Sequence, residues 1–306
     1  MSDPLDIDLV SIHRGAPRPY AVAGARLVSD FEYPALSAFA AGGAMAWPAE
    51  WPAPEAGGGE QVFDGMGLIG DGLRRVVCQV SAAGCWLAVE GLATYWISPD
   101  GRRVVEVEVD AGAGNDSRAV AALGAPLILA LARRGTFCIH ASVVMCGRHL
   151  VAFIGESGAG KSTLAHYLDQ SGGPGWRRVI DDTLPLAPPG GEQVLALPHF
   201  PQLKLPDEMQ PPRIVADRLR LSAVFILEEA GDVTIAPVTR SEAALALAAH
   251  TVGVRLFGRA LLAEHLAVCG ELAGRLPVRR LSYPRVMAAL PAVGETLARD
   301  LGAIPL

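Results

Sequence analysis

One segment of the sequence has the residue types and spacing that bind phosphate. Residues 155–162 read GESGAGKS and match the pattern G-x-x-x-x-G-K-[ST] in full, after an apolar run and before a predicted helix. Glycines let the backbone wrap an anion closely, and successive N–H groups ahead of a helix attract negative charge. In such a loop Lys161 reaches the β- and γ-phosphates of a nucleotide, and the hydroxyl of Ser162 ligates Mg²⁺. The pattern predicts ATP and Mg²⁺ as ligands, held by Gly155, Glu156, Ser157, Gly158, Ala159, Gly160, Lys161, Ser162 and Thr163.

Two adjacent carboxylates follow this loop at the end of a predicted strand. Asp181 and Asp182 come directly after the short predicted strand 178–180. The strands of a strand–helix–strand unit are parallel, so their carboxyl ends meet at the sheet edge where ligands bind. One carboxylate can hold Mg²⁺ while the other accepts the proton of an attacking hydroxyl. We predict both as catalytic residues with Lys161. Asp181 is favoured as the base because it comes first off the strand, and Asp182 is predicted also as a metal ligand; an ordinary cap or solvated turn is the alternative.

A histidine is placed near the loop by hairpin pairing. A tight turn at 147–148 pairs Cys146 with His149, and the same register puts His140 opposite Gly155. An imidazole there can hydrogen-bond a catalytic carboxylate or a phosphate. The sequence therefore predicts His140 as a catalytic residue, with a purely structural histidine as the alternative.

Further charged residues are weaker candidates for the same site. The apolar strand 223–227 ends at Glu228, which predicts a second carboxylate on the Mg²⁺ side, or else a solvated strand end. Arg255 and Arg259 flank a glycine between two predicted helices, where either can stabilise charge on a transferring phosphoryl group.

A proline-rich segment follows the carboxylate pair. Residues 184–213 contain eight prolines, a composition that disfavours a regular helix or a central strand. Long irregular loops are usually functional, so we expect the stretch HFPQLK at 199–204 to border the cleft, with Lys204 near a phosphate.

The elements that must position these residues are predicted from periodicity and breakers. We place the domain boundary near residue 134, between an N-terminal module over 1–134 and a catalytic domain over 135–306. The N-terminal module is a small, mostly antiparallel β-sheet. It ends in a helix that Asp116 or Ser117 caps and that Pro126 kinks or breaks. The predicted strands are 73–80, 85–90, 93–97, 104–109, 137–146, 149–154, 178–180, 221–227 and 277–283. The remaining predicted helices are 161–170, 241–249, 260–276 and 285–297.

Composition narrows the class of protein. The chain has 306 residues, 51% hydrophobic and 19% charged, with a net charge of −6, which is typical of a globular protein without a basic nucleic-acid surface. The longest apolar run, 119–132, is interrupted by Gly124 and Pro126 and is shorter than the roughly 20 residues of a membrane span. The first ten residues lack a basic segment, so we expect no signal peptide and no membrane, and a cytoplasmic location. Five cysteines without a C-x-x-C pair favour buried thiols over a disulfide scaffold or zinc site.

The order of the three central motifs resembles a known family. His140-Ala141-Ser142, then GESGAGKS, then Asp181-Asp182 resemble the HPr kinase/phosphorylase family over about residues 135–235. This resemblance implies an α/β P-loop kinase domain related to phosphoenolpyruvate carboxykinase and a serine kinase activity. It also implies one aspartate as the base and His140 as its support.

Some features depart from that family. Thr163 stands where its members usually have an acidic residue, the phosphorylase signature is not recognisable, and the N-terminal region differs. The stretch FPQLKLP at 200–206 is similar to the HPr-kinase-like enzymes of ribosomal peptide pathways, including lasso-peptide precursor kinases. That likeness implies a precursor-peptide serine as the acceptor.

Three classes of function therefore remain open on the sequence. The first is a kinase for a serine of a peptide or protein, either a precursor peptide or an HPr-type protein. The second is an ATP-binding regulatory module without catalysis, and the third is a small-molecule kinase. The carboxylate pair and His140 favour chemistry over binding alone. The sequence leaves the acceptor and homo-oligomerisation open.

Overall fold

The computed structural model describes residues 5–11, 16–42, 59–69, 72–173, 175–203, 216 and 218–302. It is a mixed α/β protein with two mixed sheets and two compact units. The first unit comprises Met1–Phe137 with Gly253–Ala263, and the second Cys138–Val252 with Glu264–Leu306. A single boundary near residue 134 does not account for Gly253–Ala263, which belong to the first unit. That boundary stays a prediction. No helix in the described part of the chain is long and apolar enough to cross a membrane.

The first unit is built on an eight-stranded sheet with the order β2-β3-β1-β8-β7-β6-β5-β4. Its strands are β1 (Leu5–Val10), β2 (Arg18–Val22), β3 (Ala25–Ser29), β4 (Glu60–Ile69), β5 (Gly72–Ser81), β6 (Gly84–Val89), β7 (Ala93–Ile97) and β8 (Arg103–Val109). The four predicted strands of the antiparallel module, 73–80, 85–90, 93–97 and 104–109, correspond to β5–β8. Neighbours among these strands pair antiparallel. Strand β1 instead runs parallel to both β3 and β8, so the sheet is mixed. These N-terminal strands and β4 were not predicted.

The predicted helix after β8 is two helices. They are α1 (Asn115–Leu123) and α2 (Ala125–Ala132), and Pro126 lies in the first turn of α2, where a missing N–H is tolerated. The predicted break at Pro126 is thus confirmed. The predicted cap by Asp116 or Ser117 is wrong, because Gly114 occupies the N-cap without a side-chain hydrogen bond.

The second unit is built on a seven-stranded sheet with the order β10-β9-β11-β12-β13-β15-β14 and a further pairing of β10 with β13. Its strands are β9 (Phe137–Cys146), β10 (His149–Ile154), β11 (Trp176–Leu186), β12 (Leu195–Ala196), β13 (Leu219–Glu229), β14 (Thr234–Pro237) and β15 (Val278–Tyr283). The predicted hairpin register is confirmed, with Cys146 opposite His149. Strand β10 runs parallel to β13, while β9 lies between β10 and β11.

The predicted end of the strand at the carboxylate pair is wrong. Strand β11 continues to Leu186, because Leu184 and Leu186 are buried in the core and the chain pairs there with β12. Asp181 and Asp182 therefore lie in the interior of β11. The prediction that residues 184–213 form no central strand is wrong for the same reason, since β11 and β12 lie inside the sheet, while residues 204–215 lie outside the described part of the chain.

Helices cover both faces of the second sheet. They are α3 (Lys161–Ser171), α4 (Arg240–Ala249), α5 (Arg259–Arg275) and α6 (Leu290–Gly302). Alternate residues of β10 point to opposite faces. Ile154 accordingly packs in one apolar cluster with Leu247 and Leu272 of α4 and α5, and Phe153 in another with residues of α3 and α6. The last helix begins later than predicted, after a 3-10 turn at Met287–Ala289.

Candidate phosphate-binding site

The glycine-rich loop joins β10 to α3 in the conformation that its sequence predicts. Gly158 and Gly160 have φ values of 79° and 90°, which side chains with a Cβ rarely adopt. At Gly160 a Cβ would also lie 3.1 Å from the hydroxyl of Tyr283 on β15. Gly160 is the N-cap of α3, so the loop leads directly into a helix N-terminus. Backbone N–H groups and the helix dipole both favour an anion there.

The lysine of the loop is held inside it. The Lys161 side chain is buried, and Nζ donates to the carbonyl oxygens of Gly155 at 2.8 Å and Glu156 at 3.1 Å. A cavity of about 260 Å³ opens above the loop. It is lined by His140, Ser157, Gly158, Gly160, Lys161, Ser162 and Thr163. Six of the nine predicted loop residues thus line one cavity that presents an ammonium, hydroxyls and backbone to a ligand, while Gly155, Glu156 and Ala159 are not among its lining.

His140 connects this cavity to the carboxylate pair. Its Nδ1 lies 2.9 Å from the carbonyl oxygen of Asp182 and 3.2 Å from Oδ1 of the same residue. Since a carbonyl oxygen only accepts hydrogen bonds, Nδ1 must carry the hydrogen. The Asp182 side chain is 9% exposed, and its Oδ2 accepts from the hydroxyl of Thr183 at 3.2 Å. Asp182 therefore lies directly behind a histidine that lines the cavity.

Asp181 has a different set of partners. Its Oδ1 accepts from the hydroxyl of Ser142 at 2.5 Å, and its Oδ2 lies 3.2 Å from Nη1 of Arg178. Both charged side chains of this pair are buried, at 2% and 8% exposure. Neighbouring residues of a strand point to opposite faces, in line with these different contacts of Asp181 and Asp182. The geometry thus places Asp182, and not the Asp181 that the sequence favours as the base, in contact with the histidine of the cavity.

A second histidine near the loop, His250, was not predicted from the sequence. The hairpin register puts Gly155 opposite His140, but the chain leaves the sheet there to form the loop. The backbone N–H of His140 instead donates to the carbonyl of His250 at 2.8 Å, and Val252 N–H to Cys138. Burial lowers the pKa of His250, and the positive charges of Lys161 and His140 lower it further by smaller amounts. The nearby carboxylate of Glu156 raises it.

Other predicted residues lie elsewhere or outside the described part of the chain. Glu228 is the next-to-last residue of β13, about half exposed, and its carboxylate faces Arg280 and Ser282 of β15 at 3.4 Å each. Arg255 and Arg259 belong to the first unit. Lys204 lies outside the described residues. Within the described residues, no three His, Cys, Asp or Glu side chains are grouped to hold a metal ion, and all five cysteines are free thiols.

Comparisons with known proteins add little to this geometry. No protein-family model matches the sequence, and no curated protein matches it. Among solved structures, the chain is similar to the HPr(Ser) kinase/phosphatase from Coxiella burnetii, with a TM-score of 0.29 and 13% sequence identity. The similarity covers 54% of this chain and 95% of that chain. A similarity this low supports neither a shared fold nor a shared function.

Proposed function

We propose that this protein is a kinase that transfers the γ-phosphoryl group of ATP to a hydroxyl, with a serine of a peptide or protein as the acceptor. The observation that carries the proposal is the cavity above the glycine-rich loop, which His140 lines and Asp182 backs. A proton transfer needs a carboxylate or an imidazole near the site, and Asp182 and His140 supply both. This juxtaposition favours group transfer over binding alone.

The residues around the cavity fit the phosphates of a nucleotide and a hard cation. Lys161 is the buried ammonium, the loop glycines leave room for close backbone approach, and the exposed hydroxyls of Ser162 and Thr163 face the cavity. Oxygen donors suit Mg²⁺, so Ser162 would hold it, together with water and phosphate oxygens. When bound, MgATP supplies an electrophilic phosphoryl group whose negative charge the metal partly neutralises. Lys161 and the loop N–H groups orient that group and stabilise its charge.

The acceptor hydroxyl needs a proton acceptor. We assign this role to Asp182, whose carboxylate is oriented by His140 and Thr183, and not to Asp181, whose oxygens are engaged by Ser142 and Arg178. The proton leaves the serine hydroxyl as its oxygen bonds to phosphorus and the bond to the leaving diphosphate breaks. The narrower proposal of a ribosomal precursor peptide as acceptor rests on the sequence resemblance alone.

A transfer assay tests the proposal. Purified protein is incubated with γ-labelled ATP, Mg²⁺ and a serine-containing peptide pool, and products are identified by mass spectrometry. We expect phosphoserine and ADP in equal amounts, and loss of transfer in excess EDTA that Mg²⁺ or Mn²⁺ reverses. Lys161→Ala should lower transfer by at least about 10²-fold, because it removes a preorganised charge.

Two outcomes would count against the kinase. Nucleotide binding without transfer to peptides, proteins or small hydroxyl compounds would favour the regulatory module. Wild-type turnover by Lys161→Ala would remove the loop from the chemistry. Arg299→Ala is the matched control, since it removes an exposed cation of α6 and leaves the loop and its ammonium in place.

A further inference from the structure

The buried amide of Gln202 lies against the strand that carries Asp182. Gln202 is 5% exposed and belongs to the HFPQLK stretch, which the proposed function has not used. Its Oε1 accepts from the backbone N–H of Asp181 at 3.3 Å and of Thr183 at 3.2 Å. Its Nε2 donates to the carbonyl of Thr183 at 3.2 Å and of Phe200 at 2.9 Å. Main-chain donors and acceptors are fixed, so these contacts determine the orientation of the amide.

This amide continues a ladder of hydrogen bonds along one edge of β11. Backbone groups of alternate strand residues point to the same edge. On that edge Ala187 N–H donates to Leu195, and the carbonyl of Pro185 accepts from Leu197. Beyond Leu197 the chain turns at Pro198, and the side chain of Gln202 bonds the next two positions, Thr183 and Asp181. A side chain thus stands where a partner strand would otherwise pair.

The other edge of β11 is fixed at the residue between these two. His140 Nδ1–H donates to the carbonyl of Asp182 at 2.9 Å, from the neighbouring strand β9. The backbone of Asp182 is therefore held on one edge by His140 and on the other by Gln202. A carboxylate that accepts a proton must keep its position relative to the donor within a fraction of an ångström, since small displacements cost large factors in rate.

We propose that Gln202 is a positioning residue that holds Asp182 in its catalytic position by bonding backbone groups of Asp181 and Thr183, the residues on either side of it. This inference rests on the proposed function, in which Asp182 accepts the proton. It gives the proline-rich segment a role: residues 197–202 set the geometry of the strand behind His140, and none of them is among the residues that line the cavity.

Backbone amide exchange, followed by NMR, tests the contact without any assay of activity. Gln202→Met keeps the length of the side chain and removes both hydrogen-bonding groups. The amide hydrogens of Asp181 and Thr183 should then exchange at least about tenfold faster, because they lose their acceptor. Gln170→Met, at an exposed glutamine of α3, is the matched control and should leave both amides unchanged. Gln202→Asn, whose amide is one methylene shorter, replaces the methionine variant if that variant does not fold.

Steady-state kinetics test the positioning. We expect Gln202→Met to lower kcat by about 10²-fold with little change in KM for MgATP, because the loop itself is untouched. In an Asp182→Asn background the same change should cost less than about threefold, since the residue that it positions has already lost its function.

The outcomes separate the two proposals. Unchanged exchange of the Asp181 and Thr183 amides in Gln202→Met would overturn the contact. Faster exchange with kcat unchanged, or losses that multiply in the double variant, would overturn the positioning role. A wild-type protein that transfers no phosphate would overturn the proposed function instead, and the amide exchange would still report on the contact.

Discussion

Each unit contains a buried arginine–carboxylate pair, and the two pairs differ in what surrounds them. In the first unit Arg118 of α1 contacts Glu106 of β8 through two nitrogens, at 2.6 and 3.3 Å, with both side chains under 10% exposed. The ring of Phe31 lies 5.6 Å from the same guanidinium. In the second unit Arg178 contacts Asp181 through one nitrogen at 3.2 Å, within a single strand.

The comparison teaches that a buried charge does not by itself mark a functional site. Both pairs satisfy a charge that would otherwise be costly in a dry interior. What distinguishes the second is its neighbour, since Asp182 contacts a histidine that lines the phosphate-binding cavity. Asp181 therefore corresponds to Glu106, a partner in a buried pair, and the adjacent Asp182 is the exception.

The sharpest test of this distinction replaces each aspartate in turn. Asp182→Asn should retain MgATP binding and lose about 10²–10⁴-fold in transfer, because the amide keeps its size but cannot take a proton. Asp181→Asn should mainly lower the free energy of unfolding, because it removes the carboxylate charge that contacts the buried guanidinium of Arg178. Calorimetric nucleotide binding, single-turnover transfer and urea denaturation measure the three quantities.

Two results would break the comparison. Normal transfer by Asp182→Asn would exclude it as the base and direct attention to Nε2 of His140. A loss of MgATP binding in the same variant would make Asp182 a metal ligand only. Ser142→Ala is the matched control for Asp181→Asn, because it removes the hydroxyl that donates to Asp181 and leaves the charged pair with Arg178 in place.

The pair in the first unit should behave as a purely structural one. Arg118→Met keeps the aliphatic length but leaves the Glu106 carboxylate buried and unpaired, so we expect the free energy of unfolding to fall by about 3–5 kcal/mol. Transfer by the folded protein should change less than about twofold. Urea denaturation and the transfer assay at low temperature measure both, with Arg75→Met, in the exposed pair with Asp64, as the control that changes little. A large loss of transfer at unchanged stability would contradict this assignment.

Local patterns predicted the elements that form from neighbouring residues. The loop at 155–162, the hairpin before it and the helix after it follow from glycine spacing, turn chemistry and alternation, and all three form as expected. The capping box of α4, with Thr239 and Glu242, is equally local. These features need no partner from distant parts of the chain.

The rest depended on pairing between distant segments. Strand β11 extends past Asp182 because residues 195–197 return to its edge, and single-sequence patterns cannot supply that partner. His250 reaches the loop because 250–252 replaces the departing β10 beside β9. The only local signal was a histidine at the end of a predicted helix. Likewise, Asp181 and Asp182 have different partners because both lie inside a strand, where neighbouring residues point to opposite faces. The two adjacent residues in the sequence do not indicate this by themselves.

The smallest expected effect concerns Glu228, predicted from the sequence as a metal ligand. The structure gives this side chain, 53% exposed, a contact of 3.4 Å with Arg280 Nε and another with the Ser282 hydroxyl. Exposed ion pairs contribute little, so Glu228→Gln should change transfer less than about threefold and leave the Mg²⁺ concentration for half-maximal rate unchanged. Ser162→Ala is the comparison, because its hydroxyl lines the cavity and its loss should raise that concentration. A tenfold rise in the Mg²⁺ requirement of Glu228→Gln would return this carboxylate to the metal site and extend the catalytic set from β11 to β13.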